Sequence, residues 1–201
     1  MSNIIQTTTE LAIHMVSGYA KKGGVFADAT CGNGHDTLRL AKMGPSKLYA
    51  FDIQPDAIEN TRRLLISEGF GSQLKDGTIE LIRDSHENMR DHIGKSAHTA
   101  APVDVIIFNL GYLPGGDKHI TTGESSTRKA AEASLTLLAK DGLLCITMYS
   151  GHPEGQREKE ALLGMASALD PRTYHSAYVN MLNQRNEPPE LLLITKKTGG
   201  R

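Results

Sequence analysis

Residues 25–37 read VFADATCGNGHDT, an apolar segment that leads into a turn with two glycines and then into a polar helix start. The apolar part, 25–30, is typical of a short buried strand, and 37–43 is typical of a helix that Gly44-Pro45 ends. Gly32 and Gly34 allow the backbone to turn sharply and to approach a ligand without a Cβ in the way. A strand, a glycine turn and a helix in this order predict a ligand site at the carboxyl end of a parallel strand.

Strands and helices alternate along the rest of the chain. The predicted strands cover 25–30, 48–53, 79–82, 103–109, 142–148, 176–183 and 191–196, and the predicted helices cover 7–19, 37–43, 55–68, 85–93, 124–139 and 156–169. Five strands separated by helices imply a parallel α/β sheet with right-handed crossovers. No helix separates the last two strands, so we expect them to pair antiparallel. Because no repeat, low-complexity tract or linker divides the chain, we expect one domain over 1–201.

The composition is that of an ordinary globular protein. Of 201 residues, 39% are hydrophobic and 22% are charged, and no apolar run approaches the roughly 20 residues that span a bilayer. The first ten residues lack the basic and apolar regions of a signal peptide. Cys31 and Cys145 form no CxxC pair, which argues against a zinc site or a disulfide scaffold. We therefore expect a cytoplasmic protein with no metal and no membrane partner. The net charge of −1 limits any RNA contact to a local basic patch.

An acidic residue follows the glycine turn at the spacing of a nucleoside site. Asp52 lies 18 positions after Gly34, at the end of the second predicted strand. A carboxylate at this position accepts hydrogen bonds from the hydroxyls of a ribose. This order of elements indicates a bound nucleoside rather than a tight turn with a solvated Asp52. It consists of a strand, a GxG turn, a helix and a second strand that ends in Asp.

The charges around the turn distinguish two nucleoside cofactors. A dinucleotide site wants a third glycine at the position of Thr37 and room for a pyrophosphate, but Asp28 precedes the turn and Asp36 opens the helix. Carboxylates repel a pyrophosphate and attract the ammonium and sulfonium groups of S-adenosylmethionine. The sequence therefore favours a methyl donor, and an oxidoreductase is disfavoured. Asp84-Ser85, after the third strand, is placed to meet the adenine edge, to cap the next helix, or to do both.

The segment after the fourth strand, 109–118, reads NLGYLPGGDK and resembles the (N/D)PP(Y/F) motif of enzymes that methylate amino groups. The resemblance implies that Asn109 and a neighbouring carbonyl align the target NH2 and that Tyr112 stacks on the base, although Leu110-Gly111 replaces the two prolines. Such alignment supplies much of the rate of an in-line displacement. The competing interpretation is that Asn109 caps a loop and Tyr112 packs in the core. A nucleoside-binding regulatory module without catalysis would not need this segment.

Motifs along the whole chain resemble one family. DATCGNGHDT, FDIQ, DSHENM, FNLGYLPGGDK, ITT, YSGHPEG and NQRNEPPELLLI are similar to segments of the bacterial MnmM/YtqB-like methyltransferases, long labelled rRNA methylases. The resemblance implies a Rossmann-like class I methyltransferase fold, with a seven-stranded, mostly parallel sheet, an antiparallel last strand and helices on both faces. It also implies S-adenosylmethionine-dependent N-methylation of 5-aminomethyl(-2-thio)uridine at wobble position 34 of tRNA to its methylaminomethyl form. The alternative is an rRNA or small-molecule amine methyltransferase of the same fold.

The resemblance, together with the motifs above, predicts the residues of the site. The predicted cofactor-binding residues are His14, Asp28, Thr30, Gly32, Asn33, Gly34, Asp36, Thr37, Asp52, Ile53, Gln54, Asp84, Ser85, His86, Asn109 and Leu110. The predicted substrate-binding residues are Tyr112, Pro114, Gly115, Asp117, Lys118, His119, His152 and Arg185. Asn109 and Tyr112 are the predicted catalytic residues. The expected partner is the tRNA anticodon stem-loop. The sequence leaves open whether the protein forms a homodimer.

Several of these residues have a second interpretation. His14 would otherwise be a buried core residue, and the predicted phosphate contacts, which include Arg128, Lys129 and Arg157, would otherwise be ordinary surface charges. Tyr149 is a further candidate for base stacking, since single-stranded RNA is read by splaying bases onto aromatic rings. No dedicated general base is evident. Tyr112, Asp117 and His152 are candidates, and burial of the amine is a way to lower its pKa without a base.

Overall fold

The computed structural model of the protein describes residues 6–93, 102–111, 124–185 and 187–198. Its strands are β1 (Val25–Asp28), β2 (Lys47–Asp52), β3 (Ile79–Arg83), β4 (Val103–Asn109), β5 (Leu138–Met148), β6 (Tyr174–Val179) and β7 (Glu190–Lys196). Its helices are α1 (Thr8–Tyr19), α2 (His35–Lys42), α3 (Pro55–Ser67), α4 (Gly71–Lys75), α5 (Met89–Ile93), α6 (Glu124–Leu137) and α7 (Pro153–Ser167), with a 3₁₀ turn over His86–Asn88.

The strands form one sheet in the order β3-β2-β1-β4-β5-β7-β6. β1 to β5 pair in parallel, whereas β7 is antiparallel to both of its neighbours, β5 and β6. The predicted mostly parallel sheet with an antiparallel last strand is confirmed. The chain moves outward from β1 to β3 and then returns to the other side of β1 with β4. In such sheets ligands bind at this reversal, beyond the carboxyl ends of the strands.

Alternate residues of the central strands pack against opposite layers of helices. In β4, Val105 and Ile107 join the core beneath α1, α2 and α3, whereas Ile106 and Phe108 join the core beneath α5, α6 and α7. A strand that is buried on both faces needs apolar residues at successive positions, which explains the continuous run in β4. The prediction of helices on both faces is confirmed.

The junction of α6 and β5 differs from the predicted boundaries. The sequence predicts a helix to 139 and a strand from 142, but α6 ends at Leu137 and β5 begins at Leu138. Asp141 takes a φ of 58° within the strand, and the pairing of β4 with β5 shifts register between Val103 and Val105. A bulge therefore carries the strand through polar residues that sequence patterns assign to a helix end and a turn.

Other boundaries shift by a few residues. α7 begins at Pro153 rather than at 156, because proline fits the first turn of a helix and His152 caps it. The helix predicted over 85–93 is a 3₁₀ turn followed by α5, and α4 has no counterpart among the predicted helices. β6 covers Tyr174–Val179 rather than 176–183.

Three further properties concern the described residues. No helix among them is both long and apolar enough to cross a lipid bilayer. No group of three His, Cys, Asp or Glu residues within the same ranges could hold a metal ion. Cys31 and Cys145 are buried free thiols. Burial raises the pKa of both, that of Cys145 to about 12, so both thiols stay protonated.

Candidate active site

A cleft of about 680 Å³ opens at the carboxyl ends of the parallel strands. Binding sites for small ligands range over roughly 300–1,000 Å³, so the cleft is large enough for a nucleoside with an amino-acid tail. The described residues that line it are Ala29, Thr30, Cys31, Gly32, Asn33, His35, Asp36, Asp52, Ile53, Gln54, Asp84, Ser85, His86, Asn109, Leu110, Gly111, Ser126, Tyr149, Gly151, His152 and Glu187.

The glycine turn lies between β1 and α2 and packs against α3. Gly32 and Gly34 both have positive φ, 52° and 85°. A Cβ on Gly34 would lie 2.8 Å from the Cα of Thr61, so only glycine fits there. The Thr61 hydroxyl donates a 3.0 Å hydrogen bond to the Gly32 carbonyl oxygen. Contacts with α3 thus support the turn from behind, and its bare backbone faces the cleft.

Asp52 ends β2 next to the turn. Its Oδ2 accepts a 3.0 Å hydrogen bond from the Gly32 N–H, and its Oδ1 accepts a 2.9 Å hydrogen bond from the Gln54 N–H. Burial raises the pKa of this carboxyl above its usual value. Each carboxylate oxygen has two lone pairs, so Asp52 keeps acceptor capacity for the two hydroxyls of a ribose.

Asp28, Gly34 and Thr37, three of the predicted cofactor-binding residues, are not among the residues that line the cleft. Asp28 is 1% exposed and accepts hydrogen bonds from the Thr37 hydroxyl at 2.6 Å and from the Thr30 N–H at 3.1 Å. Burial, followed by the charge of Asp36, raises the pKa of Asp28 to about 7. These residues hold the turn together from beneath.

Asp36 and Asn109 both line the cleft and are in contact with each other. The Asn109 side-chain amide Nδ2 donates to the Asp36 Oδ2 at 3.2 Å, and Arg39 Nη1 donates to the Asp36 Oδ1 at 3.0 Å. The backbone N–H of Asn109 donates to the Thr30 hydroxyl at 2.7 Å. The end of β4 is therefore fastened to both the glycine turn and the first turn of α2.

Asp84, Ser85 and His86 line the cleft beyond β3. Hydrogen bonds from His92, at 2.7 Å, and from Asn88, at 2.9 Å, lower the pKa of Asp84. The Ser85 hydroxyl caps the following 3₁₀ turn, so Ser85 both caps this turn and lines the cleft. Burial lowers the pKa of His86, which favours the neutral form of its ring.

The opposite wall comes from the loops after β5 and β6. The Tyr149 ring packs beside Gly111, where an added Cβ would lie 3.6 Å from the ring. Burial, followed by the charge of Asp36, raises the pKa of the Tyr149 phenol, which stays protonated. Glu187 lines the cleft with a left-handed φ of 48°. Non-glycine residues rarely adopt this left-handed conformation. No sequence pattern therefore predicts that Glu187 turns into the cleft wall.

The remaining predicted residues fall outside the cleft or outside the described ranges. His14 lies exposed on α1 and is not among the residues that line the cleft, so the interpretation as a buried core residue is wrong. Arg185 is exposed and also does not line the cleft. The residues that lie outside the described ranges are Tyr112, Pro114, Gly115, Asp117, Lys118 and His119.

The sheet order, the glycine turn, the acidic end of β2 and the Asn109 segment together define a class I methyltransferase. The sequence model of the family described as "Putative rRNA methylase" matches residues 48–195. The chain belongs to this family.

Named relatives match most of the chain. A chloroplastic "tRNA (mnm(5)s(2)U34)-methyltransferase" of Arabidopsis thaliana is 36% identical over 196 residues, which cover 94% of this chain and 69% of that protein. A solved "putative rRNA-methylase" from Clostridium thermocellum has a TM-score of 0.86 and 32% identity, covering 95% of this chain and 98% of that chain. A "putative methyltransferase" from Streptococcus mutans in complex with SAH has a TM-score of 0.80 and 34% identity, covering 95% and 98% of the two chains.

Proposed function

We propose that this protein transfers the methyl group of S-adenosylmethionine to the aminomethyl nitrogen of 5-aminomethyl(-2-thio)uridine at the wobble position of tRNA, in the cytoplasm. The observation that carries the proposal is the position of Asn109, whose amide lies in the nucleoside-sized cleft beside Asp36. The plant relative named for this wobble uridine and the SAH-bound structure support it.

The residues at the β1–β3 side of the cleft fit the donor. Asp52 is placed to accept hydrogen bonds from the ribose hydroxyls, and Asp84-Ser85 to meet the adenine. The carboxylate of Asp36 is suited to the ammonium of the methionine moiety, as opposite charges attract strongly in a partly buried site. When bound, S-adenosylmethionine supplies an electrophilic methyl group on its sulfonium.

The residues at the β4–β5 side of the cleft fit a single base that carries an amine. Asn109 presents an amide that can accept a hydrogen bond from the amine and aim its lone pair. The half-buried Tyr149 ring forms a wall against which a base can stack, an interaction that stabilises bound RNA by about 1–3 kcal/mol per base.

The amine must reach the cleft without its proton, because an alkyl ammonium has a pKa near ~10. His152 is poorly suited to remove this proton. Its Nδ1 accepts a 3.1 Å hydrogen bond from the Gly155 N–H at the start of α7. A neutral imidazole then carries its own proton on Nε2 and has no free lone pair. We propose that His152 donates a hydrogen bond to the substrate and that desolvation favours the neutral amine.

The charges of the cleft indicate how RNA binds. Its described lining contains four carboxylates, Asp36, Asp52, Asp84 and Glu187, but no Lys or Arg. This described part of the lining therefore repels phosphates and favours entry of a base alone. Arg128, Lys129 and Arg157 are exposed near the starts of α6 and α7, the helices whose first residues and caps contribute Ser126 and His152 to the cleft. They are placed to contact phosphates outside it.

The test is a methylation assay with purified protein, S-adenosylmethionine and a synthetic anticodon stem-loop that carries 5-aminomethyluridine. Mass spectrometry of the nucleosides should reveal the methylaminomethyl product. An unmodified stem-loop, an rRNA fragment and a free alkylamine serve as parallel substrates. Methylation of the rRNA or of the free amine, with none on the stem-loop, would replace the tRNA assignment. In cells, deletion of the gene should raise aminomethyluridine at the expense of the methylated form.

A further inference from the structure

We propose that Asp36 is a positioning residue, whose carboxylate fixes the orientation of the Asn109 amide and thereby aligns the acceptor amine. This role is separate from its electrostatic attraction for the donor's ammonium. The inference rests on the proposed methyl transfer and deepens it, because it names the group that prepares Asn109 for the reaction.

The hydrogen bond between the two side chains decides which way the amide points. An ionised carboxylate only accepts hydrogen bonds, whereas an amide has a donor end and an acceptor end. With Asn109 Nδ2 at 3.2 Å from Asp36 Oδ2, the amide NH2 faces the carboxylate and the Oδ1 acceptor turns away from it. The flipped amide would set two acceptor oxygens against each other. A target NH2 needs this acceptor, so one orientation suits catalysis and Asp36 selects it.

Both partners are held by the elements that carry them. Arg39, one turn along α2, binds the other carboxylate oxygen of Asp36 at 3.0 Å, and the Asp36 side chain is only 17% exposed. The Asn109 backbone N–H is bonded to the Thr30 hydroxyl at 2.7 Å. The carboxylate and the amide are therefore fixed from two sides, and the bond between them joins the donor half of the cleft to the acceptor half.

Two substitutions separate orientation from charge. Asp36→Asn removes the charge but keeps one acceptor oxygen. Arg39, whose side chain is 44% exposed, can then bond to solvent and leave this oxygen to Asn109 Nδ2, so the amide keeps its orientation. Asp36→Ala removes both the charge and the acceptor. The exposed Asp56, on the first turn of α3, lies outside the cleft lining, and Asp56→Ala serves as the matched control for loss of a nearby carboxylate.

The experiment has three measurements on these variants. Calorimetry with S-adenosylhomocysteine should give weaker binding for both Asp36 variants and unchanged binding for Asp56→Ala. At saturating S-adenosylmethionine, kcat on the modified stem-loop should fall at least about tenfold for Asp36→Ala and stay within about threefold for Asp36→Asn. In ligand-free protein, the Asn109 side-chain NH2 signals, assigned by their loss in Asn109→Ala, should move in Asp36→Ala and change little in Asp36→Asn.

Equal kcat for the two Asp36 variants, or Asn109 amide signals that are the same in wild type and Asp36→Ala, would overturn the positioning role. A wild-type protein that leaves the modified stem-loop unmethylated would instead count against the proposed function. The ligand-free amide signals still test the orientation in that case, so the two failures are distinguishable.

Discussion

The backbone N–H of Gly32 donates a 3.0 Å hydrogen bond to the carboxylate of Asp52, a residue 20 positions later in the chain. This bond fixes the glycine turn after β1 to the acidic end of β2. A carboxylate fixed in this way needs no rearrangement to receive a diol, and its second oxygen is anchored by the Gln54 N–H.

We expect Asp52→Ala to weaken binding of S-adenosylhomocysteine at least about tenfold, because a hydrogen bond to a charged group contributes about 1.5–3 kcal/mol. Asp52→Asn, which keeps one acceptor oxygen, should give an intermediate loss. Isothermal titration calorimetry measures both, with Asp56→Ala as the control. An unchanged dissociation constant for Asp52→Ala would remove Asp52 from the ribose site.

Asn109→Ala should lower turnover far more than donor affinity. The amide aligns the target amine, and loss of alignment costs on the order of 100-fold in rate when the reacting atoms are otherwise in place. Steady-state kinetics on the modified stem-loop gives kcat, and calorimetry gives the donor affinity of the same preparation. The prediction is wrong if kcat is preserved, or if donor affinity falls by the same factor as kcat.

Gly34→Ala should destabilise the protein. The new Cβ would lie 2.8 Å from the Thr61 Cα on a backbone with a φ of 85°, so both sterics and conformation oppose it. We expect a loss of about 1–3 kcal/mol in the free energy of unfolding. Gly164→Ala, at an exposed helical position with nothing within 4 Å, is the matched control. It should stabilise the protein by about 0.5–1 kcal/mol, and urea denaturation compares the two.

Asp28 should make the stability of the protein depend on pH. Burial, with a smaller contribution from Asp36, raises its pKa from 3.8 to about 7. A carboxyl group whose folded-state pKa is raised stabilises the fold below its unfolded pKa, and this contribution is lost as the pH rises through the folded pKa. Between about pH 4 and about pH 8, wild type should therefore lose stability relative to Asp28→Asn, which does not ionise.

Urea denaturation of ligand-free wild type and Asp28→Asn across this range tests the pH dependence. Asp28→Asn will be less stable at low pH, because it matches the Thr30 and Thr37 donors less well. The informative quantity is the difference between the two proteins as a function of pH. Curves that stay parallel would assign the pH dependence of stability to other groups.

Much of the site follows from local sequence. Two glycines after a buried strand, an acid at the end of the next strand and Asn109 at the end of β4 all lie in the cleft or support it. They are predictable because the carboxyl ends of parallel strands meet at one edge of the sheet, so residues far apart in the chain must converge there. The charge of Asp36, which lines the cleft, favoured a methyl donor on the same local grounds.

The sequence by itself therefore determined the alternation of strands and helices, the parallel sheet and the edge where the ligand binds, since these depend on periodicity and turn chemistry. Only the tertiary structure decided which side chains reach the cleft. It buried Asp28 beneath the turn, left His14 exposed on α1, brought Glu187 into the wall and joined Asp36 to Asn109. The physical reason is that solvent exposure and hydrogen-bond partners depend on how separate elements pack, which no local pattern specifies.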